Sequence, residues 1–179
     1  MALDEAIFLA AGEDPPSVRL RFYRWATDEL TIGVFVPLAT VNGRTEPITR
    51  RWTGGGVVEH GDDLTFSLSI PLVGLHPNSR AADYYQWIHK ALASALRDTG
   101  FEDAVVEPKS SNGGSSEPGF CFSAPVEWDV MDRSTGAKIA GGAQRRSRFG
   151  LLHQGSVRLP APWKAFEHSW IDRFADNLA

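Results

Sequence analysis

Cysteine is almost absent from this 179-residue sequence: Cys121 is the only one, so no disulfide can form within the chain. Long apolar runs are also missing, since none approaches the ~18 residues that a membrane span requires, and the N-terminus lacks the basic start of a signal peptide. Basic residues are not in excess, because 18 Lys and Arg oppose 22 Asp and Glu for a net charge of −4. These absences predict a cytoplasmic protein with a reduced thiol and with no membrane or nucleic-acid partner.

The composition that remains is that of a globular domain, with 42% hydrophobic and 22% charged residues. Glycine is the exception, because 17 residues of 179, or about 9.5%, exceed the roughly 7% of average proteins. Several of these glycines cluster at 54–56, 113–114 and 141–142. Two of the clusters lie beside strand-like segments that carry charge, which makes both of them candidates for a ligand site.

Apolar periodicity predicts an α+β fold with a mixed, largely antiparallel sheet flanked by helices. The expected strands are 18–25, 30–36, 48–52, 64–70, 104–106, 126–131, 138–145 and 151–159, and the expected helices are 2–11, 78–100 and 162–178. Asp4 is expected in the first turn of the first helix, where an acid favours the helix dipole. Asn78 or Ser79 is expected to cap the second helix and Gly100 to end it.

The strongest local signal is Arg50-Arg51-Trp52-Thr53 followed by Gly54, Gly55 and Gly56 and, four residues later, by His60. Consecutive glycines allow a ligand to lie against the main chain, and two arginines add charge suited to carboxylate or phosphate. This combination indicates an anionic or acyl ligand. The alternative is a flexible hairpin tip with solvated arginines. The segment is neither a P-loop nor a dinucleotide fingerprint.

A second signal begins at Lys138 and continues through Ala140, Gly141, Gly142 and Ala143. The small residues leave space beside a predicted strand for the reacting end of a ligand, whose negative oxygen Lys138 would pair. The alternative is that Lys138 is a solvated charge at a strand edge, which is the usual role of such a lysine.

Cys121 follows the predicted loop 108–119 and lies between two phenylalanines. It is either a buried, inert thiol or a nucleophile that reaches a cleft, since a thiolate is the natural acceptor for an acyl group passed between thioesters. His60 and His153 are candidate partners. No spacing of cysteine and histidine indicates a metal site.

Taken in order, these segments resemble the biotin/lipoate A/B protein ligase family, which includes lipoate-protein ligases and octanoyltransferases. The similar segments are 1–8, 22–25, 30–33, 50–60, 63–67, 138–145 and 153–156. Arg50-Arg51-Trp-Thr-Gly-Gly-Gly-Val-Val-Glu-His60 and Lys138-Ile-Ala-Gly-Gly-Ala-Gln144-Arg145 match signatures of that family, and the motifs in their fixed order are more specific than any one of them. The resemblance covers residues 1 to about 160. It implies a single catalytic domain over 1–179, without an accessory C-terminal domain, and a fold like that of class II aminoacyl-tRNA synthetases and biotin/lipoate ligases.

The resemblance also implies roles for particular residues. Lys138 matches the family's essential lysine, and Cys121 stands where one octanoyltransferase branch has the cysteine that forms an acyl thioester. The residues that would bind the lipoyl or acyl group are Arg51, Thr53, Gly54, Gly55, Gly56, His60, Gly141, Gly142 and Ala143. Lys138 and backbone N–H groups of the two glycine clusters would stabilise the oxyanion.

The implied function is transfer of an octanoyl or lipoyl group to a lysine of a lipoyl domain through a Cys121 thioester. The donor would be acyl carrier protein or a lipoylated protein, and the acceptor would be glycine cleavage H protein or a 2-oxoacid dehydrogenase E2. Arg50, Arg51, Arg145, Arg146 and Arg148 would form the docking surface for these acidic partners. No cofactor or metal is required. One alternative is an ATP- and Mg-dependent lipoate-protein ligase that acts through lipoyl-adenylate, and another is a non-catalytic lipoyl or carrier-protein binding module.

Overall fold

The computed structural model describes residues 1–107, 125–161 and 167–179. Its elements in chain order are α1 (Ala2–Ala10), β1 (Arg19–Tyr23), β2 (Glu29–Ile32), β3 (Ile48–Arg50), β4 (Val57–His60), β5 (Leu64–Pro71), α2 (Ala81–Asp98), β6 (Ala104–Val106), β7 (Val130–Asp132), β8 (Lys138–Ser147), β9 (Gly150–Val157) and α3 (Glu167–Leu178). Cys121, the predicted loop 108–119 and residues 162–166 of the predicted last helix lie outside the described residues.

Six strands form the larger sheet in the order β1-β5-β9-β8-β7-β6, and each neighbouring pair is antiparallel. The two central strand pairings, β5 with β9 and β9 with β8, place Thr65 opposite Ser156, Gly142 opposite Gly155 and Gln144 opposite His153. This register brings the glycines of β8 next to the polar residues of β9. The larger sheet therefore places the glycine cluster at 141–142 on one of its inner strands.

Strand β5 alternates apolar and polar residues, yet all eight of its residues are buried. Its apolar side chains pack in the main core with Ile88, Leu92 and Leu96 of α2 and with Trp170 and Phe174 of α3. Full burial of such a side chain stabilises the fold by roughly 1.5–3 kcal/mol. The polar side chains of β5 face the other way. They lie under α1 and the smaller sheet instead of facing solvent, and hydrogen bonds to buried carboxylates satisfy two of them.

Three strands form the smaller sheet in the order β3-β2-β4, with β2 parallel to β3 and antiparallel to β4. It has an apolar cluster of its own, made of Leu30, Ile32, Val36, Val41 and Val57. The first glycine cluster lies between the end of β3 and the start of β4. The small sheet is therefore the frame of that glycine-rich turn.

The architecture confirms the predicted fold class: a mixed, mainly antiparallel arrangement of strands with helices against it. Several boundaries differ. The strand expected over 30–36 ends at Ile32, because Gly33 lies so close to the turn that a Cβ there would be 2.1 Å from the Gly55 carbonyl oxygen. Strand β4 was not predicted, and the strand expected over 126–131 begins only at Val130.

The start of α2 corrects the predicted cap. Neither Asn78 nor Ser79 caps this helix; the N-cap is Arg80, whose backbone N–H donates to the Asp83 carboxylate at 2.7 Å in a capping box. Gly100 follows the helix with a φ of 101°, as expected for a glycine beyond a helix end. Among the residues that the structure describes, no helix is both long and apolar enough to cross a membrane.

Two histidines are fully buried between α2 and the larger sheet. His89 donates from Nδ1 to the carbonyl of Trp128 at 2.7 Å, and its ring lies 5.3 Å from that of His153. The Nε2 atoms of both rings are buried without a hydrogen-bond partner among the described residues. Burial lowers the pKa of His89 to about 4 and the pKa of His153 well below its ordinary value of 6.5. Both rings are therefore neutral in the folded protein at neutral pH.

We expect the free energy of unfolding to decrease as the pH falls from about 6.5 to 4, by up to about 1.4 kcal/mol per pH unit for each histidine. The sign follows because the unfolded chain binds protons in this range, whereas the buried imidazoles do not. Urea unfolding at a series of pH values measures this slope. His153→Gln should reduce it by about half, whereas His168→Gln, at an exposed position of α3, should leave it unchanged. An equal slope in all three proteins would contradict the assignment.

Candidate functional site

A cleft lies between the glycine-rich turn and the glycine cluster of β8, and it encloses about 380 Å³ of empty space including its mouth. Six of the residues nominated from the sequence line it: Arg51, Gly55, His60, Gly141, Gly142 and Ala143. The two clusters are in direct contact, since a Cβ on Gly55 would lie 3.3 Å from the Cβ of Ala143. Gly55 has a φ of 80°, a conformation that side chains rarely adopt. The structure thus brings both sequence signals to one site.

Arg51 holds the glycine-rich turn in shape. Its Nη2 donates to the carbonyl oxygens of Gly54 and Gly56, both at 2.9 Å, and its Nη1 donates to Thr31 Oγ1 at 2.7 Å. The side chain is buried and lines the cleft. The alternative of a flexible tip with solvated arginines is therefore wrong for Arg51. Its burial also removes it from the proposed docking surface.

Of the other arginines of that surface, Arg50, Arg145 and Arg146 lie near the turn, whereas Arg148 lies at the β8–β9 hairpin. Arg50 donates to the carbonyl oxygens of Gly33 and Val36, and the guanidinium of Arg145 lies 4.7 Å from the ring centre of Trp52. Arg146 and Arg148 are exposed. Hence four of the five remain near the surface, and Arg50 and Arg145 also brace the turn.

His60 connects Arg51 to a buried carboxylate. Its Nδ1 lies 2.8 Å from Asp63 Oδ2 and its Nε2 lies 2.8 Å from Thr31 Oγ1, while its ring stacks on Trp25 at 4.3 Å. Because a carboxylate only accepts, Nδ1 carries a proton and donates to Asp63. Thr31 Oγ1 contacts Nε2 on one side and accepts from Arg51 on the other. The result is a continuous chain of hydrogen bonds from Asp63 to the turn.

Asp63 is ionised although it is fully buried. Burial raises the pKa of its carboxyl, but the hydrogen bond and charge of His60 and the hydrogen bonds from Ser156 and the Gly61 backbone outweigh it, so the pKa lies below its ordinary value. Thr65 adds a further hydrogen bond at 3.0 Å. The carboxylate is therefore the fixed negative end of the chain.

A second buried carboxylate supports the turn from the other side. Gln154 accepts a hydrogen bond from Thr53 Oγ1 at 2.9 Å and donates from Nε2 to Asp4 at 2.8 Å. Asp4 also accepts from Arg21 at 2.6 Å and from Tyr23 at 2.9 Å. Burial and the Asp4 charge raise the pKa of Tyr23, which keeps its hydroxyl a donor. Asp4 therefore supports the turn through Gln154 and Thr53. The sequence pattern assigns Asp4 only to the helix dipole and does not predict these contacts.

Lys138 is not a solvated edge charge. Its side chain is 3% exposed, and its Nζ lies 2.8 Å from Asp129 Oδ2. It lies over Gly141, where an added Cβ would meet Nζ at 2.6 Å. Gly141 lines the cleft, whereas Lys138 itself does not, so the ammonium group adjoins the cleft through Gly141.

The small residues of β8 do not all leave space for a ligand. A Cβ on Gly142 would lie 2.5 Å from His153 Nε2, so this glycine makes room for a core ring. The backbone N–H of Gly142 donates to Tyr85 Oη at 3.0 Å and is therefore not free to bind an oxyanion. His153 does not line the cleft. It is thus a core ring behind the cleft wall, and its pairing with Cys121 stays a prediction.

Cys121 lies outside the described residues, so its nucleophilic role stays a prediction. Within residues 1–107, 125–161 and 167–179, no cluster of three His, Cys, Asp or Glu side chains is suited to hold a metal ion.

The sequence pattern of the lipoyl protein ligase A/B catalytic domain matches residues 1–171, and the chain belongs to this family. The octanoyltransferase LipM of Oceanobacillus iheyensis is 35% identical over 167 residues, which cover 89% of this chain and 59% of that protein. The octanoyltransferase LipM of Moorella thermoacetica is 35% identical over 176 residues, covering 89% and 60%. The chain therefore spans about three fifths of the length of these curated relatives.

Solved structures show the same fold. A putative lipoate protein ligase from T. acidophilum with bound lipoic acid superposes with a TM-score of 0.71 at 22% identity, covering 99% of this chain and 79% of that one. A lipoate-protein ligase A bound with ATP superposes with a TM-score of 0.68 at 24% identity, covering 99% and 78%. At these identities the likeness is one of fold.

We expect Asp63→Asn to lower the free energy of unfolding by about 2 kcal/mol at neutral pH, because the amide nitrogen would face donors at a fully buried site. The difference in the free energy of unfolding between this variant and the parent protein should become smaller as the pH falls below about 4. The parent loses the contribution of its carboxylate there, as the pH drops from the unfolded pKa towards the lower folded one. Chemical denaturation across this range measures both effects. Asp172→Asn, on the exposed side of α3, is the matched control, and a gap independent of pH would count against the ionised Asp63.

Proposed function

We propose that this chain transfers an octanoyl or lipoyl group to a lysine of a lipoyl domain through a thioester on Cys121. The observation that carries the proposal is the position of Lys138, whose Nζ lies over Gly141 at the cleft. The octanoyltransferase relatives support the reaction class. Because the chain spans only part of their length, activity, substrate and partners all belong to this proposal.

The cleft suits an acyl group. Four of its lining residues are glycines, so a slender chain can lie directly against the backbone. Arg51 is the charged lining residue, and no Asp or Glu lines the cleft among the described residues. A carbonyl or carboxylate oxygen is favoured in such a setting, because no anion repels it.

The proposed chemistry is two acyl transfers. The Cys121 thiolate attacks the thioester carbonyl of the donor, and the tetrahedral intermediate expels the donor thiolate to leave an acyl-cysteine. The amine of the acceptor lysine then attacks this thioester, loses a proton and expels the Cys121 thiolate, which leaves an amide. The Lys138 ammonium stabilises the oxyanion in both steps. No cofactor takes part, and the free thiol requires a reducing setting such as the cytoplasm.

The proposed donor is an acyl carrier protein or a lipoylated protein, and the proposed acceptor is a lipoyl domain of glycine cleavage H protein or of a 2-oxoacid dehydrogenase E2. One structural neighbour is an archaeal bipartite lipoate protein ligase that was studied together with its E2 lipoyl domain. That pairing concerns the archaeal protein. An E2 lipoyl domain is therefore a suitable acceptor with which to test this chain.

Incubation with octanoyl-acyl carrier protein without ATP should add the mass of one octanoyl group, detected by intact-protein mass spectrometry. Cys121→Ser should abolish the adduct, because a hydroxyl is a far weaker nucleophile than a thiolate at neutral pH. Lys138→Ala should slow its formation by roughly 10²–10³-fold, the usual effect of removing an oxyanion-stabilising group. Lys90→Ala, at an exposed lysine of α2, is the matched control.

Two other outcomes would favour the alternatives, which are an ATP-dependent ligase and a non-catalytic binding module. An amide product that forms only with ATP, Mg and free octanoate, and that survives Cys121→Ser, would identify an ATP-dependent ligase. Tight binding of octanoate or of an acyl carrier protein without any transfer would identify a binding module. Either result would overturn the transferase proposal.

A further inference from the structure

The carboxylate of Asp129 lies between the candidate catalytic lysine and a tyrosine of α2. Its Oδ2 is 2.8 Å from Lys138 Nζ, and its Oδ1 accepts from the Tyr85 hydroxyl at 2.7 Å. Asp129 is fully buried, and Tyr85 and Lys138 are largely withdrawn from solvent. The ammonium, the carboxylate and the phenol therefore form one connected group beneath the end of β8.

We propose that Tyr85 and Asp129 are positioning residues that hold the Lys138 ammonium at the cleft for acyl transfer. The proposal rests on the function proposed above and assigns it two further residues. Neither contacts the cleft itself, since neither lines it. Their effect on the reaction passes through Lys138.

The carboxylate is itself fixed from several sides. Its Oδ2 accepts from the backbone N–H of Val126 at 2.7 Å, which closes the turn before β7. The next residue back, Trp128, has a φ of 72°, and its carbonyl accepts from His89 of α2 at 2.7 Å. Helix α2 thus binds this turn through His89 and binds Asp129 through Tyr85. The counter-charge of Lys138 is held in place before any substrate arrives.

Tyr85 links this group to the backbone of the cleft. Its hydroxyl donates to Asp129 and accepts from the backbone N–H of Gly142 at 3.0 Å. Gly142 lines the cleft. One hydroxyl therefore sets the distance between the carboxylate that binds Lys138 and the strand that forms the cleft wall.

The physical benefit is the ordering of a flexible side chain. A lysine has four rotatable side-chain bonds and loses much conformational entropy when it is held in one place. Because the ion pair with Asp129 orders the lysine when the protein folds, no further conformational entropy is lost when the transition state forms. Gly141 contributes by its lack of a side chain, because the lysine lies where a Cβ would be.

Tyr85→Phe and Asp129→Asn should each lower kcat for acyl transfer by about 10- to 100-fold, as displaced catalytic groups do, and should leave KM for the octanoyl donor within about 2-fold. KM is spared because the acyl group lies against the glycine-rich turn and not against these residues. Tyr84→Phe is the matched control, since the adjacent tyrosine accepts from the His76 backbone at 2.7 Å, outside the cleft. Asp132→Asn is the matched control for Asp129→Asn, because the Asp132 carboxylate accepts from Ser134 of the hairpin, whereas that of Asp129 pairs with Lys138. Both controls should retain kcat.

A second measurement does not depend on activity. Limiting acetylation with acetic anhydride, read by peptide mass spectrometry, compares Lys138 with the other lysines, Lys90, Lys109 and Lys164. Asp129→Asn should raise the relative acetylation of Lys138 by at least about 3-fold, because a side chain that is no longer held by the buried carboxylate can reach the reagent. Tyr84→Phe and Asp132→Asn should not. Thermal unfolding of each variant shows whether the fold is retained.

The outcomes separate the two proposals. A selective rise at Lys138 with no transfer activity in the parent protein would retain the positioning pair and overturn the proposed function. Unchanged acetylation and unchanged kcat in folded Asp129→Asn and Tyr85→Phe would overturn the positioning pair alone. A loss of stability with kcat unchanged would also overturn it, because that is the result expected of a purely structural role.

Discussion

The glycine-rich turn depends on hydrogen bonds from one guanidinium. A segment of consecutive glycines has no side chains to pack, and its backbone gains more conformational freedom on release than any other sequence would. Arg51 offsets this by binding the carbonyl oxygens on both sides of Gly55. The guanidinium is in turn oriented by Thr31, which is oriented by His60, which is oriented by Asp63. The shape of the turn is therefore set by a carboxylate in the loop between β4 and β5 and not by the turn itself.

This arrangement requires a polar layer inside the molecule. Burying a carboxylate is costly unless hydrogen bonds replace its hydration, and each of the two carboxylates behind the cleft accepts several. Asp63 accepts from His60, Thr65 and Ser156, and Asp4 accepts from four side chains. The donors on the larger sheet come from β1 and from the polar faces of β5 and β9. The alternation in β5 that is typical of a solvent-facing strand thus serves a second buried interface.

Sequence patterns predict the parts of this site that are local in the chain. Consecutive glycines after arginines, and a lysine before small residues, are visible within a dozen residues, and both lie at the cleft. Tyr85 and Asp129 are 44 positions apart, and Asp4 and Gln154 are 150 apart. Periodicity assigns Tyr85 to the apolar stripe of a helix and Asp4 to a helix dipole, because each assignment uses only near neighbours. The supporting contacts arise from strand order and register, which a single sequence does not specify.

The two glycine clusters also owe their composition to different forces. In the first, Gly55 needs its positive φ and its closeness to Ala143, which are properties of the cleft. In the cluster at 141–142, a Cβ on Gly142 would clash with His153. On the neighbouring strand, Gly155 is glycine for the same reason, because a Cβ there would lie 2.4 Å from the Phe66 ring. These two glycines allow the rings of the core to approach the sheet directly beneath the cleft. The glycines at these two positions therefore keep the sheet thin enough to pack against the core on one face and to line the cleft on the other.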